Sequence, residues 1–176
     1  NGIPQFIDAT DQAGLAGINV MTFPTWFWDY DNDGWQDIFV CGYQYEGSVG
    51  GEVAMEALNI PNNSSKMYLY HNNHDGTFTE SGAKHFRHYS RFSMGNDAAD
   101  FNNDGHTDVI TVDMLPPDEK TLKTYGRDEN LSTYKVKIGL HGYQHQYSRT
   151  CLQRNNGNGE SFSETALISG IQATDW

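Results

Sequence analysis

The chain has 176 residues, with 23 Asp and Glu against 11 Lys and Arg and a formal net charge of −12. That acid excess argues against a nucleic-acid or anionic-membrane surface, because phosphate contacts need Lys and Arg, and it favours cations instead. No apolar run approaches the roughly 18 residues of a membrane span, and 18 Gly, 10 Tyr and 9 Phe among short Asn and Asp clusters read as strands and turns, so an all-β fold is expected.

Asn1-Gly2-Ile3-Pro4 is neither an initiator nor a signal peptide, and the protein is expected to begin upstream of it. Asn1-Gly2 with Phe6-Ile7-Asp8 looks like the tail of a motif that returns twice further on, which makes residues 1–20 the end of a preceding unit. Apolar stretches at 22–28, 38–41, 67–70 and 77–79 read as four short strands of a unit spanning 21–90. Between the first two lies Asp29-Tyr30-Asp31-Asn32-Asp33-Gly34-Trp35-Gln36-Asp37, and between the second and third an excursion, 42–65, with one or two helical turns expected at 52–58. The aromatics Trp26, Phe27, Trp28, Tyr30 and Trp35 could stack on sugar rings if exposed, but strand aromatics more often fill a core, and core packing is expected.

A second unit, 91–170, repeats the pattern with strands at 92–99, 109–114, 150–153 and 161–163. Its loop, Asp100-Phe101-Asn102-Asn103-Asp104-Gly105-His106-Thr107-Asp108, follows the first at an offset of 71 residues. The segment Leu69-Tyr70-His71-Asn72-Asn73-His74-Asp75-Gly76-Thr77-Phe78 also returns, as Leu152, Asn155-Asn156-Gly157-Asn158-Gly159 and Phe162. Two blocks recurring in the same order are a structural repeat, and a four-stranded unit of about 70 residues is the size of a β-propeller blade with insertions. The expected fold is therefore part of a propeller, two blades plus flanking pieces, with residues 171–176 leading into a further blade. Propellers close with about four to eight blades, so the others are expected from further chain or from a partner.

The insertion 116–150 carries Lys120, Lys123, Arg127, Lys135, Lys137 and Arg149 against Asp118, Glu119, Asp128 and Glu129, a net +2, and is read as partly helical. Insertions in repeat proteins often form the binding face, and this one is either a partner surface or a solvated excursion packed on its own blade. His141 and His145, and His85 and His88, have helix-compatible spacings but no HExxH companion, and are expected to be surface or hydrogen-bonded loop histidines. Cys41 and Cys151 fit no CxxC pattern, and a disulfide between them is left open.

In both loops oxygen side chains stand at positions 1, 3, 5 and 9, with Gly at 6. Such crowding of like charge is costly unless a cation sits at its centre. Hard oxygen ligands without His or Cys select calcium. The expected ligands are Asp29, Asp31, Asp33 and Asp37 in one loop and Asp100, Asn102, Asp104 and Asp108 in the other, with Trp35 and His106 contributing carbonyl oxygens only. An EF-hand would need Glu at position 12 and flanking helices; here position 12 is Val40 or Thr111, inside apparent strands. Two calcium ions would bring −12 to −8.

At these residues the sequence resembles the FG-GAP or VCBS repeat family, whose blades carry a DxDxDGxxD calcium loop between their first two strands. Leu69 to Phe78 and Leu152 to Phe162 are similar to that family's LYxNNGDGTF segment. Asp113-Met114-Leu115-Pro116 and Tyr143-Gln144-His145-Gln146-Tyr147 resemble large secreted bacterial members associated with an ASPIC/UnbV tail. The resemblance implies a calcium-stabilised propeller, secreted or on the cell surface, near outer-membrane uptake or secretion machinery, and Asn102 departs from it by removing one charge. No nucleophile motif or carboxylate pair stands out beyond the loops, so no catalytic residue is assigned. Binding or scaffolding of a protein or glycan is favoured, the alternative being a calcium-dependent polysaccharide lyase or hydrolase on the same fold.

Overall fold

Thr22–Trp28 (β1), Asp37–Gly42 (β2), Met67–Asn72 (β3) and Phe78–Glu80 (β4) form one antiparallel sheet in the order β1-β2-β3-β4. The computed structural model that shows this describes residues 5–18, 21–42, 55, 58–60, 66–90, 92–114, 120, 145–147 and 149–173. Pro24 lies within β1, where a central strand would lose a ladder hydrogen bond. β1 is accordingly an edge strand, and its register against β2 slips between Thr22 and Thr25. A single helical turn, Gly82–His85 (α1), and a short strand, His88–Ser90 (β5), lead to the second sheet.

That sheet comprises Gly95–Ala99 (β6), Asp108–Val112 (β7), Cys151–Asn155 (β9) and Phe162–Glu164 (β10), again an antiparallel meander. His145–Tyr147 (β8), within the insertion, pairs in parallel with β5, His88 opposite His145. The described regular structure is thus almost entirely β, and no helix in it is long and apolar enough to cross a membrane.

The repeat is visible bond by bond. In the first unit Asn73 N–H donates to Thr77 O, Ser81 N–H to Leu69 O, and Gly82 N–H to Glu80 Oε1. In the second, Asn156 N–H donates to Ser161 O, Thr165 N–H to Leu152 O, and Ala166 N–H to Glu164 Oε1. Local sequence dictates these turns, because Asn and Gly accept the left-handed backbone found at His74, Gly76, Gly157 and Gly159 more readily than branched residues do.

Strand alternation sorts each sheet into two faces. In the first sheet Phe39, Cys41, Met67 and Leu69 share one face, and Ile38, Val40, Tyr68 and Tyr70 the other. The first face joins Trp28, Tyr30, Phe86 and Tyr89 in a core that also takes Val109 and Phe162 from the second unit. Phe162 lies at its centre, its ring 4.9 Å from Phe86 and stacked at 5.7 Å on Trp28. Each such ring removed from water contributes about 1.5–3 kcal/mol. The second face of the first sheet is covered by Leu15, Ile18 and Phe78. In the second sheet Val109, Thr111, Cys151 and Gln153 are buried, whereas Ile110, Val112 and Leu152 on its other face are half-buried.

Some expectations need correction. The strand expected from residue 92 begins at Gly95, because Phe92 N–H donates to the buried Asp113 Oδ2 and Ser93 turns the chain with φ 43. Of the five aromatics expected in the core, Trp28 and Tyr30 are buried, but Trp26, Phe27 and Trp35 are 42, 63 and 49 % exposed, since β1 is an edge and Trp35 belongs to the loop. Cys41 and Cys151 are free, buried thiols in different sheets, and burial pushes both above the usual thiol range. In the excursion 42–65, Leu58 and Ile60 N–H both donate to Met55 O. The rest of the helical expectation at 52–58, most of 116–150, His141 and residues 174–176 lie outside the described residues.

Candidate metal centre

The loops 29–37 and 100–108 join β1 to β2 and β6 to β7. Asn32 and Gly34 in the first, and Asn103 and Gly105 in the second, take φ of 62, 90, 58 and 87, which wraps the backbone into a tight cup. At position 1, Asp29 accepts Asp33 N–H at 3.0 Å and Gly34 N–H at 2.8 Å. Asp100 accepts Asp104 and Gly105 N–H at 3.1 and 2.8 Å. At position 5, Asp33 and Asp104 accept the N–H of Trp35 and His106.

The position-9 carboxylates are clamps. Asp37, fully buried, accepts Tyr30 N–H at 3.2 Å and Asn72 N–H at 2.8 Å, tying the loop to the end of β3. Asp108 repeats this with Phe101 N–H at 3.2 Å and Asn155 N–H at 2.8 Å. Burial pushes Asp37 up to about 6 although the two N–H donors oppose it, and burial likewise raises Asp108. Carboxylates held above their usual range are costly to ionise, and an added cation offsets that cost.

Side chains distinguish the two loops. In the first, an oxygen from each of Asp29, Asp31 and Asp33 falls within 4.8 Å of the others. A second group, Asp31, Asp37 and His71, meets the same limit. Asp31 is raised by burial and by Asp33, and its Oδ1 is buried without a hydrogen-bond partner. His71 Nδ1, 3.5 Å from Asp31 Oδ2 and 3.4 Å from Asp37 Oδ1, is likewise buried and unpartnered. His74 Nε2 contacts Asp33 Oδ2 at 2.6 Å, and the Trp35 ring stacks on the imidazole at 4.9 Å. Burial opposes the lowering of Asp33, but the Trp35 N–H and His74 outweigh it. Two orphaned polar atoms facing one carboxylate cluster fit a divalent cation, which would give both a partner.

In the second loop Asn102 replaces Asp31, and its amide donates to Asp104 Oδ2 at 2.8 Å. That bond and the His106 N–H hold Asp104 below the usual carboxylate range, with Arg154 adding to the effect. Arg154 occupies the register position of His71, since each precedes the asparagine that donates to its clamp. The His106 ring lies beside Gly157, where an added Cβ would come within 2.7 Å of it.

The loops also touch. Asn32 Nδ2 donates to Gly105 O at 3.1 Å and lies 3.2 Å from His106 Nδ1. Asn155 Nδ2 donates to Tyr30 O at 2.7 Å, and Gly159 is close to Asp31, so the second unit's turn roofs the first loop.

All ten residues expected from the sequence therefore lie in the two loops, while His71 and His74, overlooked because they stand some 35 residues away, complete the first. Their signal was their place in the repeated Asn-rich block. His85 is buried, with its ring nitrogens 2.9 Å from Ser81 O and 3.2 Å from Gly159 O, and it sits outside both loops.

Residues 29–111 match the family model described as FG-GAP-like repeat. No curated protein and no solved structure matches the chain significantly. The matched stretch, which runs from the first loop through β2, β3 and β4 to β7, is similar to the FG-GAP-like repeat.

Proposed function

We propose that the chain forms two consecutive blades of a β-propeller, each loop holding a calcium ion, and that it serves as an extracytoplasmic module for binding or scaffolding a protein or glycan. The observation that carries this reading is the stacking of unlike faces. The second sheet presents Val109, Thr111, Cys151 and Gln153 to the first unit, whose facing residues are Phe39, Cys41, Met67 and Leu69. The counterparts of Phe39, Cys41 and Leu69 in the second sheet are Ile110, Val112 and Leu152, and they remain half-buried, as a surface awaiting a further unit would be. A head-to-tail contact of this kind propagates, and it closes into a ring when the rotation per unit permits.

Calcium is supported by the oxygen-rich cups and the orphaned Asp31 Oδ1. Extracellular modules bind calcium at roughly 10⁻⁴ to 10⁻³ M, which suits an exterior or cell-surface compartment. An outer-membrane uptake or secretion complex as partner rests on the sequence resemblance, with the basic insertion 116–150 as the contact surface.

Thermal unfolding of the full chain in excess chelator and in millimolar calcium tests this. At the tighter end of that range about 2 mM calcium is roughly twentyfold above Kd and contributes about 2 kcal/mol per site, or about 4–8 °C at this size, and calorimetric titration should count two ions. Identical unfolding in both conditions would reject the calcium reading. Depolymerisation of an acidic polysaccharide by the full chain would instead favour the enzymatic alternative.

A further inference from the structure

We propose that Asn32 and Asn155 are cross-unit positioning residues that couple the two loops, so that a calcium ion in either loop raises the affinity of the other. This rests on the loops being calcium sites and concerns how they act on each other.

The two asparagines cross the boundary between the units in opposite directions. Asn32 stands between Asp31 and Asp33, two expected ligands of the first loop, with its backbone at φ 62. Its Nδ2 leaves that loop, donates to Gly105 O at 3.1 Å and lies 3.2 Å from His106 Nδ1. Gly105 and His106 are positions 6 and 7 of the second loop, and position 7 is the one expected to offer a carbonyl. The return path starts at Asp108, position 9 of the second loop, whose Oδ1 accepts Asn155 N–H at 2.8 Å. The buried Asn155 side chain then donates to Tyr30 O at 2.7 Å and Thr107 O at 3.3 Å. Tyr30 lies between Asp29 and Asp31. Each path therefore ends on a residue that ion binding must hold still.

The repeat supplies an internal control. Asn72, the counterpart of Asn155, bonds within its own unit, with N–H to Asp37 Oδ1 and Nδ2 to Gln36 O. The bond to Tyr30 O is an addition to that pattern, made where one unit follows another. Tyr30 is accordingly 5 % exposed, whereas Phe101, its counterpart in the second loop, is 48 % exposed.

Ordering a loop around an ion costs conformational entropy. An ion in the first loop fixes residues 31–33, and Asn32 then restrains residues 105 and 106, so an ion entering the second loop has less left to order. Repulsion between the two dications acts the other way, but salt near 0.15 M screens charges beyond about 8 Å and leaves direct hydrogen bonds in place.

The test follows calcium titration of the full chain by NMR at about 0.15 M salt. Gly34 N–H and Gly105 N–H, each bonded to the position-1 carboxylate of its own loop, report the two sites separately. Asp31→Ala should lower calcium affinity read at Gly105 about fivefold or more. Asn32→Gly removes the exposed carboxamide at a positive φ that glycine adopts without strain. In that background the same Asp31→Ala change should move the Gly105 affinity less than about twofold. The reciprocal variant, exposed Asp104→Ala read at Gly34, should show a loss of similar size and the same dependence on Asn32, and it serves if Asp31→Ala does not fold. Calcium response at both glycines with no effect of one loop on the other, or an equal effect with and without Asn32, would overturn the coupling and leave the calcium reading intact. No response at either glycine up to about 10 mM calcium would overturn both.

Discussion

The two loops share a backbone and differ in nearly everything that decides what they hold. Asp29 and Asp100, Asp37 and Asp108, and Asp33 and Asp104 accept equivalent N–H groups at nearly equal distances. Yet the first loop has a half-buried Asp31 and is lined by His71 and His74, while the second has an exposed Asn102 in place of Asp31 and Arg154 in place of His71. The repeat therefore specifies a scaffold, and the positions that do not repeat specify chemistry. Carboxylates that accept N–H groups shape the cup and keep lone pairs for a ligand, and Asp31 Oδ1 has no hydrogen-bond partner at all.

The sharpest way to break the comparison is at the phenylalanines that end the repeated Asn-rich block. Phe162 fills the core between the sheets and Phe78 only flanks the outer cluster, so Phe162→Ala should cost about 3–5 kcal/mol and Phe78→Ala about 1–2 kcal/mol by denaturant unfolding. Equal losses would mean that the stacked faces do not dominate stability. Next come the clamps. Asp37→Asn or Asp108→Asn turns an amide donor toward a buried N–H, and each should cost about 2–3 kcal/mol in chelator, alike in both units. Asp31→Asn, which imitates the second loop, should leave metal-free stability within about 0.5 kcal/mol while weakening ion binding.

Why the loops were legible and their completion was not follows from distance along the chain. Asp29 to Asp37 is one turn, and its spacing alone puts oxygens around a point. The approach of His71 depends on how β3 registers against β2, fixed by Phe39 opposite Leu69 across the excursion 42–65. Exposure of Trp26 and Phe27 likewise depends on β1 being an edge, a property of sheet order rather than of the strand itself. The strand start at Gly95 was misplaced because Asp113, on the far side of β7, captures Phe92 N–H before the ladder can. The strands themselves fell within a few residues of expectation, since alternation and turn residues are local signals.

The smallest effect separates Glu164 from its counterpart Glu80. Burial opposes ionisation of Glu164, but Arg149 at 2.7 Å and the N–H groups of Ala166 and Leu152 outweigh it and hold the carboxyl below its usual value of 4.5. A depressed folded-state value stabilises the fold above pH 4.5, and that contribution is lost as pH falls through 4.5 toward the lower value. Glu164→Gln should therefore flatten the acid limb of the stability profile. Glu80→Gln, at an exposed site, should alter stability at neutral pH by less than about 0.5 kcal/mol.

Pro24 has a consequence for how molecules of this kind avoid one another. An open sheet margin is a template on which other chains can extend, and fibrils grow from such margins. With a missing amide hydrogen and a slipped register, the outer side of β1 cannot offer an unbroken row of donors, so growth is directed away from lateral strand addition.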